Sequence, residues 1–293
     1  MNKSHSEDWR KKDRMFPYLM LLPTIIVLIL FTFYPFIKSI YLSFFVTNNI
    51  GVPGAFVGFK NFQRVFKSKD FMQSIEATLK YAAMVGFGTF FMAMFLSLIS
   101  IRVGKGSKVY QTMYAIPMAI ASVPISALAT YILSNYGILN HVLGTKIEFL
   151  SRKETALATV ACVQIWSNIG ASYIFLLVGF RNVAADLVEA ATLDGASFLQ
   201  RIFYIYIPLA SPQIFFVIFL NIISSFKGFA IIKLLTQKGP GNSTNILVYA
   251  VYSNAFLRGR FETACVYSLV LCVIIFIFTR IQQFCEKRLV TYQ

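Results

Sequence analysis

Arg181-Asn182-Val183-Ala184-Ala185-Asp186-Leu187-Val188-Glu189-Ala190-Ala191-Thr192-Leu193-Asp194-Gly195-Ala196-Ser197-Phe198-Leu199-Gln200 leads through Ile205-Tyr206-Ile207 to Pro208 and lies between two long apolar runs. Asp186 and Glu189 have the spacing of an N-cap and the acid that reaches back to it, just ahead of a helix-favouring Ala190-Ala191 pair. Asp194-Gly195 marks a turn. Ser197 and Gln200 repeat the capping spacing, so a second helix is expected from Ser197 toward Pro208, whose missing N–H discourages continuation. Ala190, Ala191 and Gly195 leave this helix–turn–helix with little bulk, so that another backbone can approach it. An ordinary capped hairpin between two membrane helices is the plainer reading of the same residues.

The flanking runs decide the class. Of 293 residues, 57% are apolar, 16% aromatic and only 13% charged, far from soluble usage. Crossing a bilayer takes about 20 apolar residues per helix. About six stretches meet that length: Phe16 to Ile37, Tyr81 to Ile101, Val109 to Leu133, Thr155 to Phe180, Leu209 to Ile232 and Thr263 to Thr279. The expected fold is an all-α polytopic membrane protein, with a basic tail over 1–15 and one transmembrane domain over 16–293. Pro117 and Pro124 predict a bent or interrupted third helix. Gly86 and Gly88 suit close helix contact in the second.

Arg10, Lys11, Lys12 and Arg14 precede the first run, and only Lys38 follows it before Lys60. No small-residue cleavage site follows, so the run is an uncleaved helix whose N-terminus is inside. Six crossings then put the C-terminus and the 181–208 segment on that same cytoplasmic side. Under this topology 13 of the 27 lysines and arginines fall inside and 14 outside, so the orientation rests on the first helix.

Several classes of function are excluded or weakened. A net charge of +15 is spread over loops and helix ends rather than gathered in one patch, which fits lipid headgroups and argues against nucleic acid. Cys162, Cys265, Cys272 and Cys285 have no metal spacing. Gly104-Lys105-Gly106-Ser107 lacks the Walker spacing, so ATP is not bound by that motif. With only His5 and His141 and no carboxylate pair in a run, a membrane enzyme is disfavoured; no catalytic residue, cofactor site or metal site is assigned. An ion-coupled secondary transporter needs ionisable groups at mid-membrane, and Glu76, Lys80, Lys227 and Glu262 all fall near run ends.

The spacing from Glu189-Ala190-Ala191 through Gly195 to Ile205, Ile207 and Pro208 resembles the cytoplasmic EAA loop of the permease subunits of binding-protein-dependent ATP-driven importers. Further motifs resemble the carbohydrate-type branch, which includes maltose and glycerol-phosphate importers: Gly58-Phe59-Lys60-Asn61-Phe62, Gly137-Ile138-Leu139-Asn140, Trp166 with Gly170, Leu235-Thr236 with Gly239-Pro240, and Thr244, Tyr252 and Phe256. Ala184, Ala230 and Lys238 depart from residues common in that branch. The resemblance implies an inner-membrane permease subunit of a sugar importer, or of one for glycerol-phosphate or another anionic solute. It implies four kinds of partner: a second related permease, two cytoplasmic ATPases carrying ATP and magnesium, an extracytoplasmic solute-binding protein, and membrane lipid. Glu189, Ala190, Ala191, Asp194, Gly195 and Pro208 are then the ATPase-coupling residues.

A sugar path needs amide, hydroxyl and aromatic groups facing a cavity. Gln164, Asn168 and Ser172 recur on one helical face, with Trp166 and Tyr173 nearby. Asn221, Ser224 and Ser225 share a face one turn before Lys227. Ser122, Ser126 and Thr130 make a third stripe. Each group admits a packing role as well, small polar residues being common helix cement, and Lys227 is placed either to snorkel or to meet an anion.

Overall fold

Hydrocarbon offers no partner for a backbone N–H or C=O, so a chain this apolar pairs those groups within each segment as helix. The computed structural model of the chain describes residues 4–101 and 106–289 and is mostly helical. Four helices are long and apolar enough to cross a membrane: Phe16–Leu42, Lys69–Ile99, Lys153–Arg181 and Phe261–Arg288. Two bent pairs join them, Ser107–Ala119 with Ser122–Leu143 at 104° and Phe198–Leu209 with Ser211–Ser225 at 75°. Taking each pair as one crossing gives six spans, called first to sixth in chain order below. The basic stretch from Ser4 is helical and continuous with the first span. Gly104 and Lys105 of the Gly104-Lys105-Gly106-Ser107 run lie outside the described residues.

The fourth span is the axis of the core. Its Val160, Ala161, Leu176 and Phe180 are buried against Tyr81, Val85 and Ala93 of the second span and Ile214 and Val217 of the fifth. Gly88 belongs to this contact, since a Cβ there would stand 2.4 Å from Ile165 Cδ1. The first span is the opposite case. Every side chain from Phe16 to Lys38 is exposed, and the span meets the sixth mainly near its Tyr34–Leu42 end.

Two prolines sit in helices that widen to receive them. A proline cannot donate to the carbonyl four residues back and its ring crowds that carbonyl. One π-turn, Ile29–Phe33, precedes Pro35 and another, Ile202–Tyr206, precedes Pro208. In each the bond is thrown one residue further, Tyr34 N–H to Ile29 O and Ile207 N–H to Ile202 O. Helix therefore continues through Pro208 to Leu209, and the break falls at Ala210, contrary to the stop expected at the proline.

Three sequence-based boundaries are also corrected. The second span begins at Lys69, well before Tyr81, because Asp70, Glu76 and Lys80 lower hydropathy without opposing helix; Glu76 and Lys80 pair at 2.6 Å across one turn. The fifth span ends at Ser225, not Ile232. A turn at Phe226–Gly228 follows, then a separate helix, Phe229–Leu235. The segment from Leu234 to Phe261, which the apolar runs ending at Ile232 and starting at Thr263 leave as a connection, is largely helical. Leu247–Tyr252 and the π-turn Ser253–Leu257 follow the Gly239-Pro240-Gly241 bend, and Ile231, Ile232, Leu247, Tyr249 and Ala250 are buried. Apolar runs that fold back on the bundle and those that cross a membrane have the same hydropathy.

At the end away from Glu189, single polar side chains hold the connections. Phe45–Thr47 pairs antiparallel with Pro53–Phe56, and Asn61 Nδ2 donates to Ser43 O at 3.0 Å and Phe45 O at 2.8 Å. Asn140, 2% exposed, donates to Ser134 O and Ile147 O and accepts from Ile147 N–H and Thr145 Oγ1. Asn140→Ala leaves those buried groups unpaired and is expected to destabilise the protein by roughly 2–3 kcal/mol, read as a lower thermal midpoint of the purified protein.

Candidate functional site: a helical hairpin and a buried polar line

The loop after the fourth span folds as a short helical hairpin. Helix Ala185–Leu193 starts from Ala184, whose φ −55° and ψ 126° supply the non-helical backbone that a cap position requires. Asp186 is therefore not the N-cap its spacing suggested; it lies inside the first turn, where its charge faces the positive end of the helix dipole. Glu189 and Ala190 are exposed on this helix and Ala191 is half-buried. Asp194 closes it. Gly195 takes φ +82°, its N–H bonding Thr192 O while Ala196 N–H bonds Ala191 O, the two bonds of a Schellman turn.

The second helix opens with the expected reciprocal cap. Ser197 N–H donates to Gln200 Oε1 at 2.7 Å and Gln200 N–H to Ser197 Oγ at 3.3 Å. Arg201 Nη1 donates to Thr192 Oγ1 at 2.5 Å, pinning the two helices together, and its buried Nε has no acceptor. Between the helices lies a cavity of about 370 Å³ lined by Asp194, Gly195, Gln200, Arg201 and Tyr204. Tyr204 in its lining is 80% exposed, and Leu193, next to Asp194 in the chain, is 89% exposed. Pro208 is exposed beyond it, and at the loop's base Arg181 Nη2 donates to Ser100 O at 3.2 Å, tying the loop to the end of the second span.

A broken line of polar groups runs between the second, fourth and fifth spans. Tyr81, fully buried, donates from Oη to Gln164 Oε1 at 3.3 Å, and Gln164 Nε2 donates to Asn168 Oδ1 at 3.0 Å. One turn further, Ser172 Oγ donates to Asn221 Oδ1 at 2.9 Å. Asn168 Nδ2 and Asn221 Nδ2 are both buried without an acceptor. Asn221 also lines a cavity of about 490 Å³ with Gly86, Phe87, Phe90, Ser225 and Phe226.

The remaining candidates are placed differently. Ser224 and Ser225 hydroxyls donate back to Asn221 O and Ile222 O of their own helix, as Ser126 and Thr130 do to Ser122 O and Ser126 O, so none has a hydroxyl proton to spare. Tyr173 is 1% exposed and packs edge-on to Tyr114, with ring centroids 5.4 Å apart, inside the core. Trp166 faces outward and Lys227 is exposed. Sequence reading overlooked Leu193, Arg201 and Tyr204 on the loop and Tyr81 in the polar line. A large apolar residue beside a turn, as at Leu193-Asp194-Gly195, was the available signal for the first.

These features define a class: a polytopic membrane bundle with an exposed helical hairpin at one end and polar groups buried between its spans. Residues 91–291 match the model of the family described as binding-protein-dependent transport system inner membrane component, and the chain belongs to that family. It is the permease component of a binding-protein-dependent importer. The sn-glycerol-3-phosphate transport system permease protein of Agrobacterium fabrum is 29% identical over 282 residues, covering 94% of this chain and 96% of that protein. Its counterpart from Salmonella typhimurium is 27% identical over 290 residues, 96% of this chain and 97% of that protein. Among solved structures, a chain of a bacterial transporter importing the acidic polysaccharide alginate superposes with a TM-score of 0.86 at 24% identity, over 97% of this chain and 100% of that one. A chain of the alginate transporter in complex with its pentasaccharide-bound periplasmic protein gives 0.84 at 25%, over 96% and 97%.

Proposed function

We propose that this permease carries a sugar, oligosaccharide or similar polyhydroxylated solute and forms half of the path, the other half coming from a second, related permease. The observation that carries the reading is the pair of buried amide N–H groups at Asn168 and Asn221 that lack acceptors. An unpaired buried donor costs about 1–3 kcal/mol, and a passing hydroxyl or water repays it. The aromatic wall of the cavity at Asn221 supplies the flat apolar surface that sugar C–H faces need. The relatives' named substrate, glycerol-3-phosphate, and the alginate of the similar structures are also polyhydroxylated.

The helical hairpin after Arg181 is the contact for one of two cytoplasmic ATPases, which bind ATP and magnesium, and both termini lie on that side. A solute-binding protein delivers cargo at the other end. Leu193 supports this reading, because an almost fully exposed leucine on a polar loop gains by burial against a partner. Leu193→Glu is expected to weaken co-purification of the ATPases about tenfold while leaving the permease inserted, the size expected for losing one buried anchor. Retention of the ATPases at the unsubstituted level would count against the contact. Isolating the intact importer and measuring which saccharides its binding protein retains tests the cargo class; retention of amino acids or metal ions alone would overturn it.

A further inference from the structure

The end of the bundle away from the coupling loop is strongly basic. Fourteen lysines and arginines stand there against five aspartates and glutamates. Of those acids, Glu76 pairs with Lys80 at 2.6 Å, Asp70 lies 4.0 Å from Arg258, and Glu262 is buried and accepts from Thr47 Oγ1. A surplus of one sign costs self-repulsion, and membrane proteins ordinarily place excess lysine and arginine on the cytoplasmic side, at the opposite end under the topology proposed above.

One of these cations is held in a built setting. Lys233 Nζ lies 4.4 Å from the centroid of the Tyr252 ring and 5.6 Å from that of Phe229. Tyr252 in turn touches Phe229, Tyr249 and Phe256 at centroid distances of 5.1, 6.2 and 5.5 Å, and Phe256 is 71% exposed. Lys233 is exposed and forms no ion pair among the described residues. Ring faces attract an ammonium group and hold it in place, but they leave its charge uncompensated and open to an anion.

The position is as informative as the chemistry. Phe229 directly follows Gly228, where a Cβ would stand 2.4 Å from Tyr81 Oη, so backbone lies against the hydroxyl that begins the polar line to Gln164 and Asn168. The Lys233 cluster therefore adjoins the outer end of that line.

We propose that Lys233, with Tyr252 and Phe229, forms the entry subsite of the path for a saccharide or polyol bearing a carboxylate or phosphate group. The inference rests on the path reading and sharpens it from polyhydroxylated to anionic cargo. The ammonium meets the anionic oxygen while the rings pack against the solute's C–H face. The basic surround draws such solutes to the mouth, an attraction that salt screens within about 10 Å at 0.1 M.

An anionic oxygen can also come from a lipid phosphate, and the test separates the two sources. The importer, complete with its partner subunits, is placed in nanodiscs of phosphatidylcholine alone. Saturation-transfer NMR then uses trigalacturonate and neutral maltotriose as probes. Trigalacturonate is expected to receive saturation from the aromatic ring protons, with affinity falling as sodium chloride rises. Lys233→Gln is expected to weaken it about tenfold, the size of one charge-assisted hydrogen bond; Lys233→Arg, which keeps the charge, should hold it near the original value. Maltotriose should be indifferent to both substitutions. Equal binding of the two sugars, or no loss in Lys233→Gln, overturns the proposal. So does trigalacturonate binding that vanishes when phosphatidylglycerol is included, which marks Lys233 as a lipid contact. Asn221→Leu is expected to keep trigalacturonate binding at the mouth. Retained uptake in that variant would sink the path reading while leaving the Lys233 result to stand or fall separately.

Discussion

Gly195→Trp is expected to give a permease that inserts, assembles and supports ATP hydrolysis, yet moves solute at least about tenfold more slowly per ATP than the unsubstituted protein. The cost within the chain is small. Gly195 has φ +82°, where a side chain is strained by about 1–2 kcal/mol, and a Cβ there meets nothing within 4 Å. A tryptophan therefore projects from the Schellman turn into open space beside the cavity of Asp194, Gln200 and Arg201. If that space is where an ATPase surface seats, the ring holds the surfaces apart and the hairpin no longer follows the ATPase when it closes. Coupling of this kind is a free energy shared between two sites, commonly about 1–3 kcal/mol, so a displaced contact is enough to lose it. Gly195→Asn separates strain from bulk. Asparagine tolerates the left-handed region better than most residues, so it should keep uptake near normal. The check is paired measurement of solute uptake and ATP hydrolysis in proteoliposomes containing all subunits. An unchanged uptake-to-hydrolysis ratio in Gly195→Trp removes the turn from the coupling surface.

The hydrogen bond from Arg181 to Ser100 O suggests how such a displacement reaches the path. Arg181 ends the fourth span just before the hairpin, and Ser100 follows the end of the second. These are the two spans that carry Tyr81, Gln164 and Asn168. A displacement of the hairpin would pass through the three-residue turn at Asn182–Ala184 to the fourth span, and through the Arg181 bond to the end of the second, reaching both walls of the polar line.

How much of this was legible in the sequence depended on what kind of signal each feature leaves. Pro117 and Pro124 announced the break in the third span, and it falls between them, at Ile120–Ala121. Asp194-Gly195 and Ser197-x-x-Gln200 placed the turn and the second helix of the hairpin, because both signals are local backbone chemistry. Asp186 misled for a related reason: the cap spacing was present, but only backbone geometry decides which residue is the cap, and Ala184 took it. Hydropathy gave the spans, but it could not tell Phe229–Leu235 folded against the bundle from a continuation of the fifth span. It also hid the start of the second span behind Asp70 and Glu76. Among the polar stripes, composition placed Asn221 and Ser225 equally well. Only the hydrogen bonds separate them, one with a donor left over and the other spent on Ile222 O.

That distinction makes Asn221→Leu the sharpest substitution in the path. Leucine keeps asparagine's branched skeleton with bulkier methyl ends, which the adjoining cavity can take up, and removes both the acceptor for Ser172 Oγ and the unpaired Nδ2. Ser172 can then bond back to the carbonyl four residues earlier, as Ser126 and Thr130 already do. Losing one interhelical bond costs about 0.6 kcal/mol in a membrane protein, while deleting a buried unpaired donor returns a comparable amount, so stability should stay within roughly 1 kcal/mol. Transport should not be spared. If the amide meets each passing hydroxyl, leucine leaves that hydroxyl unpaired in an apolar cavity of phenylalanines, which costs about 1–3 kcal/mol and slows passage between fivefold and two-hundredfold. Ser172→Ala is the complementary arm. It frees Asn221 Oδ1 without touching Nδ2, so it should lower thermal stability slightly and leave uptake largely intact. The two variants thus move stability and transport in different proportions, whereas helix cement alone predicts a loss of stability in both with uptake spared in both. Uptake and the thermal midpoint, measured on each variant and on the pair combined, distinguish the two accounts. A drop in melting temperature with normal uptake in Asn221→Leu would return Asn221 to the packing residues of the bundle.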